Sequence, residues 1–179
     1  MGSMDDVKKL RELTNLGVMD CKKAFDDAEG DFDKALDILK AKGVQIAQKK
    51  GQRSTHEGII ESYIHFDSKK GCMVELACET DFVARTEDVK KFARDLCMHI
   101  TATDPLFIRR EEVTEEVLNE NKNDEGQIED SFYSENCLLE QTFIKDPSVT
   151  IKQSLETLIG KIGENIVIKR FVRFEVGKD

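Results

Sequence analysis

Cys78-Glu79-Thr80-Asp81-Phe82-Val83-Ala84-Arg85 is the stretch on which the reading of this chain turns. It follows an apolar run, Cys72 to Ala77, that suits a strand, and it precedes a helical pattern. A phenylalanine beside an aspartate in such a strand-to-helix turn is poorly explained by core packing. It reads more easily as an apolar wedge presented to something outside the chain. The alternative folds Phe82 into its own core and makes Asp81 a helix cap.

Outward from this turn, the pattern is sheet and helix in separate runs. Upstream, Ile60, Ser62, Ile64 and Phe66 alternate with Ile59, Glu61, Tyr63 and His65, as in a strand. Asp67 to Gly71 forms a hairpin loop, and Met73 to Ala77 pairs back. Downstream, Val89, Phe92, Ala93, Leu96 and Ile100 mark one buried stripe of a helix that Asp104-Pro105 stops. Residues 111–136 are acidic and polar, with Asn119, Asn121, Asn123, Asp124 and Gly126 clustered. A short helix near 114–119 is expected there, and 119–137 is expected as loop or partial disorder. Order returns near Leu138. Val149, Ile151, Leu155, Leu158, Ile159 and Ile162 define another helix, and Ile166 to Val176 a last strand. The order predicts an α+β fold, an antiparallel sheet covered on one face by helices.

Residues 5–43 read differently, as three short amphipathic helices. Val7, Leu10, Leu13 and Leu16 line the first. Asp20 is expected to cap a second, which buries Cys21, Ala24 and Phe25, and Asp31 a third carrying Phe32, Ala35, Leu36 and Leu39, with Gly43 past its end. Such a bundle resembles the ubiquitin-associated-type fold, a docking module. Residues 44–57, with Lys49, Lys50 and Arg53, read as a basic linker, leaving 58–177 as the core.

Composition excludes several functions. The 179 residues are 39% hydrophobic and 35% charged, which suits one globular domain or two small ones. The net charge of −9 repels phosphate, so nucleic acid is not expected as a direct partner, and the basic run at 49–53 lacks interleaved aromatics. No apolar run approaches the roughly 20 residues that cross a bilayer, so no membrane association is expected. Residues 1–20 lack the apolar centre of a signal peptide, and Met1-Gly2-Ser3 before Met4 reads as a cloning remnant. The five cysteines form no C-x-x-C pair and read as buried thiols in a reducing compartment.

No catalytic constellation stands out. His56, His65 and His99 lie in segments of different type, and no phosphate-cradling glycine motif occurs. Cys72, Cys78 and His65 do not have zinc spacing. No catalytic residue, metal or cofactor is expected.

Three long segments carry a family resemblance. Val74-Glu75-Leu76-Ala77-Cys78-Glu79-Thr80-Asp81-Phe82-Val83-Ala84-Arg85 resembles the signature V-E-x-x-C-E-T-D-F-V-A-R of the elongation factor Ts family. Leu10 to Phe25 resembles its N-terminal turn, with Asn15, Val18 and Phe25 replacing the usual glycine, methionine and leucine. Phe143 to Val149 and Ile162 to Gly177 resemble its short form, which has a single core subdomain. The stretch between Val117 and Leu138 is shorter than the family's helical insert. Val172 stands where some short forms have cysteine, so a disulfide-linked dimer through that position is not expected.

The resemblance implies a guanine-nucleotide exchange factor that binds elongation factor Tu without covalent chemistry, in bacterial cytoplasm or an organelle matrix. It implies that Thr80, Asp81, Phe82 and Val83 enter the partner's nucleotide-binding domain, Phe82 as wedge and Asp81 helping to dislodge magnesium. Met19, in the turn between helices, is implied as a docking contact, with Leu16 and Val18 beside it. For Leu16 and Val18 the alternative is a hydrophobic staple for the helix at Asp20, an equal one for Val18. Tyr63 and His65 are weaker implied contacts, with a satisfied surface histidine as the equal alternative. A single core subdomain implies a homodimer, with Ile166 to Val176 as pairing edge. The first rival reading is a non-catalytic module that docks through residues 5–43, and the second a metal-dependent hydrolase using the cysteine and histidine cluster.

Overall fold

The computed structural model describes residues 4–14, 16–123 and 128–178. Asn15, Asp124 and Gly126, which figured in the sequence reading, lie outside them, as do Met1, Gly2 and Ser3.

Helices α1 (Met4–Thr14), α2 (Val18–Asp27) and α3 (Phe32–Lys50) form the N-terminal bundle. Val7, Leu10, Leu16, Cys21, Ala24, Phe25, Ala35 and Leu39 close its own small core. Asp31 caps α3 as expected, its carboxylate accepting from the N–H groups of Asp33 and Lys34 at 3.1 Å each. Asp20 does not cap α2. The cap position is Gly17, and Asp20 sits in the first turn, where its charge suits the helix dipole and pairs with Lys42 of α3.

Helix α3 does not stop at Gly43. It runs seven residues further, to Lys50, through much of the segment expected as a linker. Gly43 and Ala47, one turn apart on the same face, are buried, and Ala47 joins the main core while Leu39 belongs to the bundle's. Tertiary packing overrides the low helix propensity of glycine here, and α3 becomes a strut between the two cores.

Strands β1 (Glu57–Ile64) and β2 (Lys70–Cys78) form an antiparallel hairpin with Ile64 opposite Gly71. After β2 come the one-turn helix α4 (Asp81–Ala84) and the long α5 (Glu87–Thr103), which ends where Asp104 turns left-handed (φ 52°) before Pro105. Short helices α6 (Glu115–Glu120) and α7 (Asp130–Asn136) follow. The second lies within the stretch expected as loop. It is held from a distance: the Arg110 guanidinium stacks 4.4 Å above the Tyr133 ring and pairs with Asp130.

A small hairpin, β3 (Thr142–Phe143) and β4 (Asp146–Thr150), leads into α8 (Ile151–Ile162) and the last strand, β5 (Ile166–Glu175). Thr150 and Gln153 form a capping box at the start of α8, and Gly163 (φ 82°) ends it. The main sheet has the order β1-β2-β5, antiparallel throughout, so the fold is α+β. Its inner face (Cys72, Val74, Leu76, Ile166, Ile168) packs on Val89, Phe92, Leu96 and Ile100 of α5 and on Leu138 and Ile151. Its outer face leaves Ile60, Ile64, Val172 and Phe174 exposed. All five cysteines are buried and free. Among the described residues, no helix is long and apolar enough to cross a membrane.

Candidate partner-binding site

The site begins where β2 runs out of sheet. Cys78 is the last strand residue, and its thiol donates to the Thr80 carbonyl at 3.0 Å; burial pushes that thiol's pKa up. Thr80, in extended conformation, caps the next turn with its hydroxyl, which accepts from the Val83 N–H at 3.4 Å. The cap is therefore Thr80 and not Asp81. A single helical turn has little stability of its own, so side-chain anchors decide its position. Val83 and Ala84 are buried and anchor one side. The geometry of the turn then forces Asp81 and Phe82 outward.

Phe82 is 80% exposed and belongs to neither hydrophobic core. Asp81 makes a surface ion pair with Arg85 at 2.9 Å, one turn on. A solvated pair of this kind contributes little to stability, so Asp81 can exchange Arg85 for another partner at small cost.

Glu79 and Thr80 are held from behind. The Glu79 carboxylate accepts from the Asn165 N–H at 2.7 Å and from Arg53 at 3.3 Å; the first of these contacts chiefly lowers its pKa. Thr80 donates to Glu164 through both its N–H (3.1 Å) and its hydroxyl (2.9 Å). Residue type alone gave no signal for Glu79, Glu164 and Asn165, because a carboxylate or amide in a polar stretch reads as solvated until its partner strand is known.

The N-terminal bundle presents a second patch. Val18 and Met19 are the first two residues of α2 and are 53% and 72% exposed. They line a cleft of about 490 Å³ together with Met4, Val7, Arg11 and Phe25. Leu16 does not join them: it is 7% exposed and packed in the bundle core, because the chain turns inward just before Gly17. It packs as a structural residue of the module.

Tyr63 and His65 sit elsewhere. The Tyr63 hydroxyl lies 3.1 Å from His65 Nδ1, and both line a cleft of about 410 Å³ with Met98, Thr101 and Ile144. They lie toward the hairpin end of β1, whereas the wedge adjoins its start, where Glu57 pairs with Cys78. At ~3.3 Å per residue that is roughly 20 Å away. The structure thus separates three patches: the wedge, the α2 cleft and the hairpin cleft. Among the described residues, no three His, Cys, Asp or Glu side chains converge as a metal site.

Comparison with known proteins bears on all of this. The family model described as elongation factor TS matches residues 33–129 and 124–178. Elongation factor Ts of Caldanaerobacter subterraneus subsp. tengcongensis is 47% identical over 197 aligned residues, covering 99% of this chain and 98% of the relative. That of Carboxydothermus hydrogenoformans is 49% identical over 191, covering 96% and 88%. That of Thermotoga neapolitana is 45% identical over 194, covering 99% and 98%. Similarity of that depth over almost the full length, spanning bundle, wedge and sheet alike, means that the chain belongs to the elongation factor Ts family of translation elongation factors.

Proposed function

We propose that this chain is a guanine-nucleotide exchange factor that binds GDP-loaded elongation factor Tu and speeds GDP release. The observation that carries the reading is Phe82: a large apolar side chain, 80% exposed, on a turn whose neighbours Val83 and Ala84 are buried. A fold gains nothing from such an arrangement, whereas an interface gains an aromatic anchor.

Exchange needs no nucleophile. A factor that binds the nucleotide-free partner more tightly than the GDP-bound one weakens GDP by that same ratio. Phe82 would enter an apolar gap in the nucleotide-binding domain. Asp81, released from Arg85, would compete for the polar contacts that hold magnesium. Loss of that cation removes the main counter-charge on the GDP phosphates. Val18 and Met19 would supply affinity through the α2 cleft, and Tyr63 and His65 a weaker third contact. The working compartment is then that of the elongating ribosome, in bacterial cytoplasm or an organelle matrix.

The same reading includes a homodimer. Strand β5 is an edge of the sheet, and Val172 and Phe174 on it are exposed. A second copy covering this strand would enlarge the surface of a one-core factor. Sedimentation at micromolar concentration tests this, and a monomer with full exchange activity would remove the dimer from the account.

The deciding experiment follows release of a fluorescent GDP analogue from elongation factor Tu with substoichiometric factor. Acceleration with turnover is the expected result. Binding without acceleration would leave a docking protein acting through its helical bundle.

A further inference from the structure

Helix α4 has four residues, too few to hold an orientation by its own hydrogen bonds. Buried Val83 and Ala84 anchor its C-terminal end, and Thr80 caps its N-terminal end. The Thr80 hydroxyl has one proton and can cap Val83 only if that proton points away. Glu164, 84 residues later, supplies the acceptor: one carboxylate oxygen lies 2.9 Å from the Thr80 hydroxyl, and the other 3.1 Å from the Thr80 N–H. The two contacts fix both backbone and rotamer of the capping residue.

The loop that carries Glu164 also reaches the other way. Asn165 donates from its N–H to Glu79 and from its side chain to the Arg53 carbonyl, at 2.7 and 2.8 Å. Lys50, the last residue of α3, donates to the Gly163 carbonyl. One three-residue loop therefore grips the base of the wedge on one side and the end of the bundle's strut on the other.

We propose that Glu164 is a positioning residue for exchange: by holding Thr80 it presets the orientation of Asp81 and Phe82, and through Asn165 the same loop ties that orientation to the docking module. This rests on the exchange reading above. A wedge held in its binding orientation does not have to be ordered when the partner arrives, so the loss on removing Glu164 falls on the distorting step more than on capture.

The test is stopped-flow GDP release at a series of factor concentrations for the natural chain, Glu164→Ala, Glu164→Gln, Phe82→Ala and the Glu164→Ala/Phe82→Ala pair. Glu164→Ala is expected to lower the maximal release rate roughly three- to tenfold while the half-saturating concentration moves less than about twofold. Glu164→Gln, which keeps one acceptor oxygen for Thr80, recovers part of the rate. In the Phe82→Ala background the Glu164 change costs clearly less than in the natural chain, because only Asp81 is left to position.

An unchanged maximal rate in Glu164→Ala, or a loss that simply multiplies that of Phe82→Ala, overturns the positioning role and leaves the exchange reading intact. Absence of acceleration by the natural chain overturns both. If Glu164→Ala does not fold, Glu164→Gln carries the same comparison, and a maximal rate for Glu164→Gln equal to the natural chain's overturns the proposal.

Discussion

Gly160 of α8 lies against Gly43 of α3 so closely that a Cβ built on Gly160 would stand 2.9 Å from the Gly43 Cα. The reverse is not true: a Cβ on Gly43 would meet the Gly160 Cα at 4.0 Å, an ordinary contact. The crossing therefore needs glycine on one side only. Gly160→Ala is expected to destabilise by about 1–3 kcal/mol, since backbone must move to admit the methyl group, and that outweighs the ~1 kcal/mol gain in helix propensity. Gly43→Ala keeps the propensity gain without the clash and is expected to be neutral or stabilising by up to ~1 kcal/mol. Thermal unfolding of the two variants checks the asymmetry; Gly43→Ala melting below Gly160→Ala would contradict it.

Phe82 offers a cleaner separation of function from fold. Because its ring is solvated, Phe82→Ala is expected to change stability by less than ~0.5 kcal/mol. The same change removes the aromatic anchor of the proposed interface, so acceleration of GDP release is expected to fall at least about tenfold. Melting and release measured on one preparation decide the matter. Unchanged release would return Phe82 to the class of scattered exposed hydrophobes.

Three neighbouring residues of the N-terminal turn should behave in two ways. Met19→Ala and Val18→Ala touch only the α2 cleft and are expected to raise the half-saturating factor concentration, by roughly five- to tenfold for Met19, with the maximal release rate nearly kept. Leu16→Ala instead opens the bundle core and is expected to cost about 2–4 kcal/mol of stability. Titrated release curves beside denaturant melts distinguish the classes, and a stable Leu16→Ala with weakened binding would reinstate Leu16 as a contact.

These cases also mark what the sequence could tell. The strands were legible because Ile59 to Phe66 alternate, and α5 because its stripe has helical period. The outward reading of Phe82 comes from its place in a strand-to-helix turn together with the family resemblance, and the structure leaves the ring exposed. Gly43 misled because a stop signal is local, whereas its packing partner, Gly160, belongs to a helix far along the chain. Helix α7 was missed for a similar reason: its supports, Arg110 on Tyr133 and Asp130, come from another segment. Leu16 reads as readily for a surface contact as for a core one until the turn is built. Glu164 and Asn165 carry no period at all, and only the folded chain brings them to Glu79 and Thr80.

His99 gives the chain a pH dependence whose sign follows from its surroundings. The imidazole on α5 is fully buried; its Nδ1 accepts from the Ile144 N–H at 3.3 Å, so the proton sits on Nε2, which donates to the Gln141 side-chain oxygen at 2.8 Å. The Phe143 ring packs edgewise 6.0 Å away. Burial pushes the His99 pKa below its ordinary 6.5, against a smaller opposing effect of Gln141. Protonating Nδ1 would leave two N–H groups facing each other at Ile144. The unfolded chain takes up the proton first, so stability is full above about pH 6.5 and falls as the pH drops below it, until the folded imidazole is protonated as well. The slope from this residue cannot exceed about 1.4 kcal/mol per pH unit. His99→Gln keeps a donor and an acceptor but does not titrate. Urea denaturation at about pH 5.5 and about pH 7.5 should therefore show a smaller difference for His99→Gln than for the natural chain. Equal differences would assign the acid sensitivity to other groups and leave His99 a purely structural bridge between α5 and the β3–β4 hairpin.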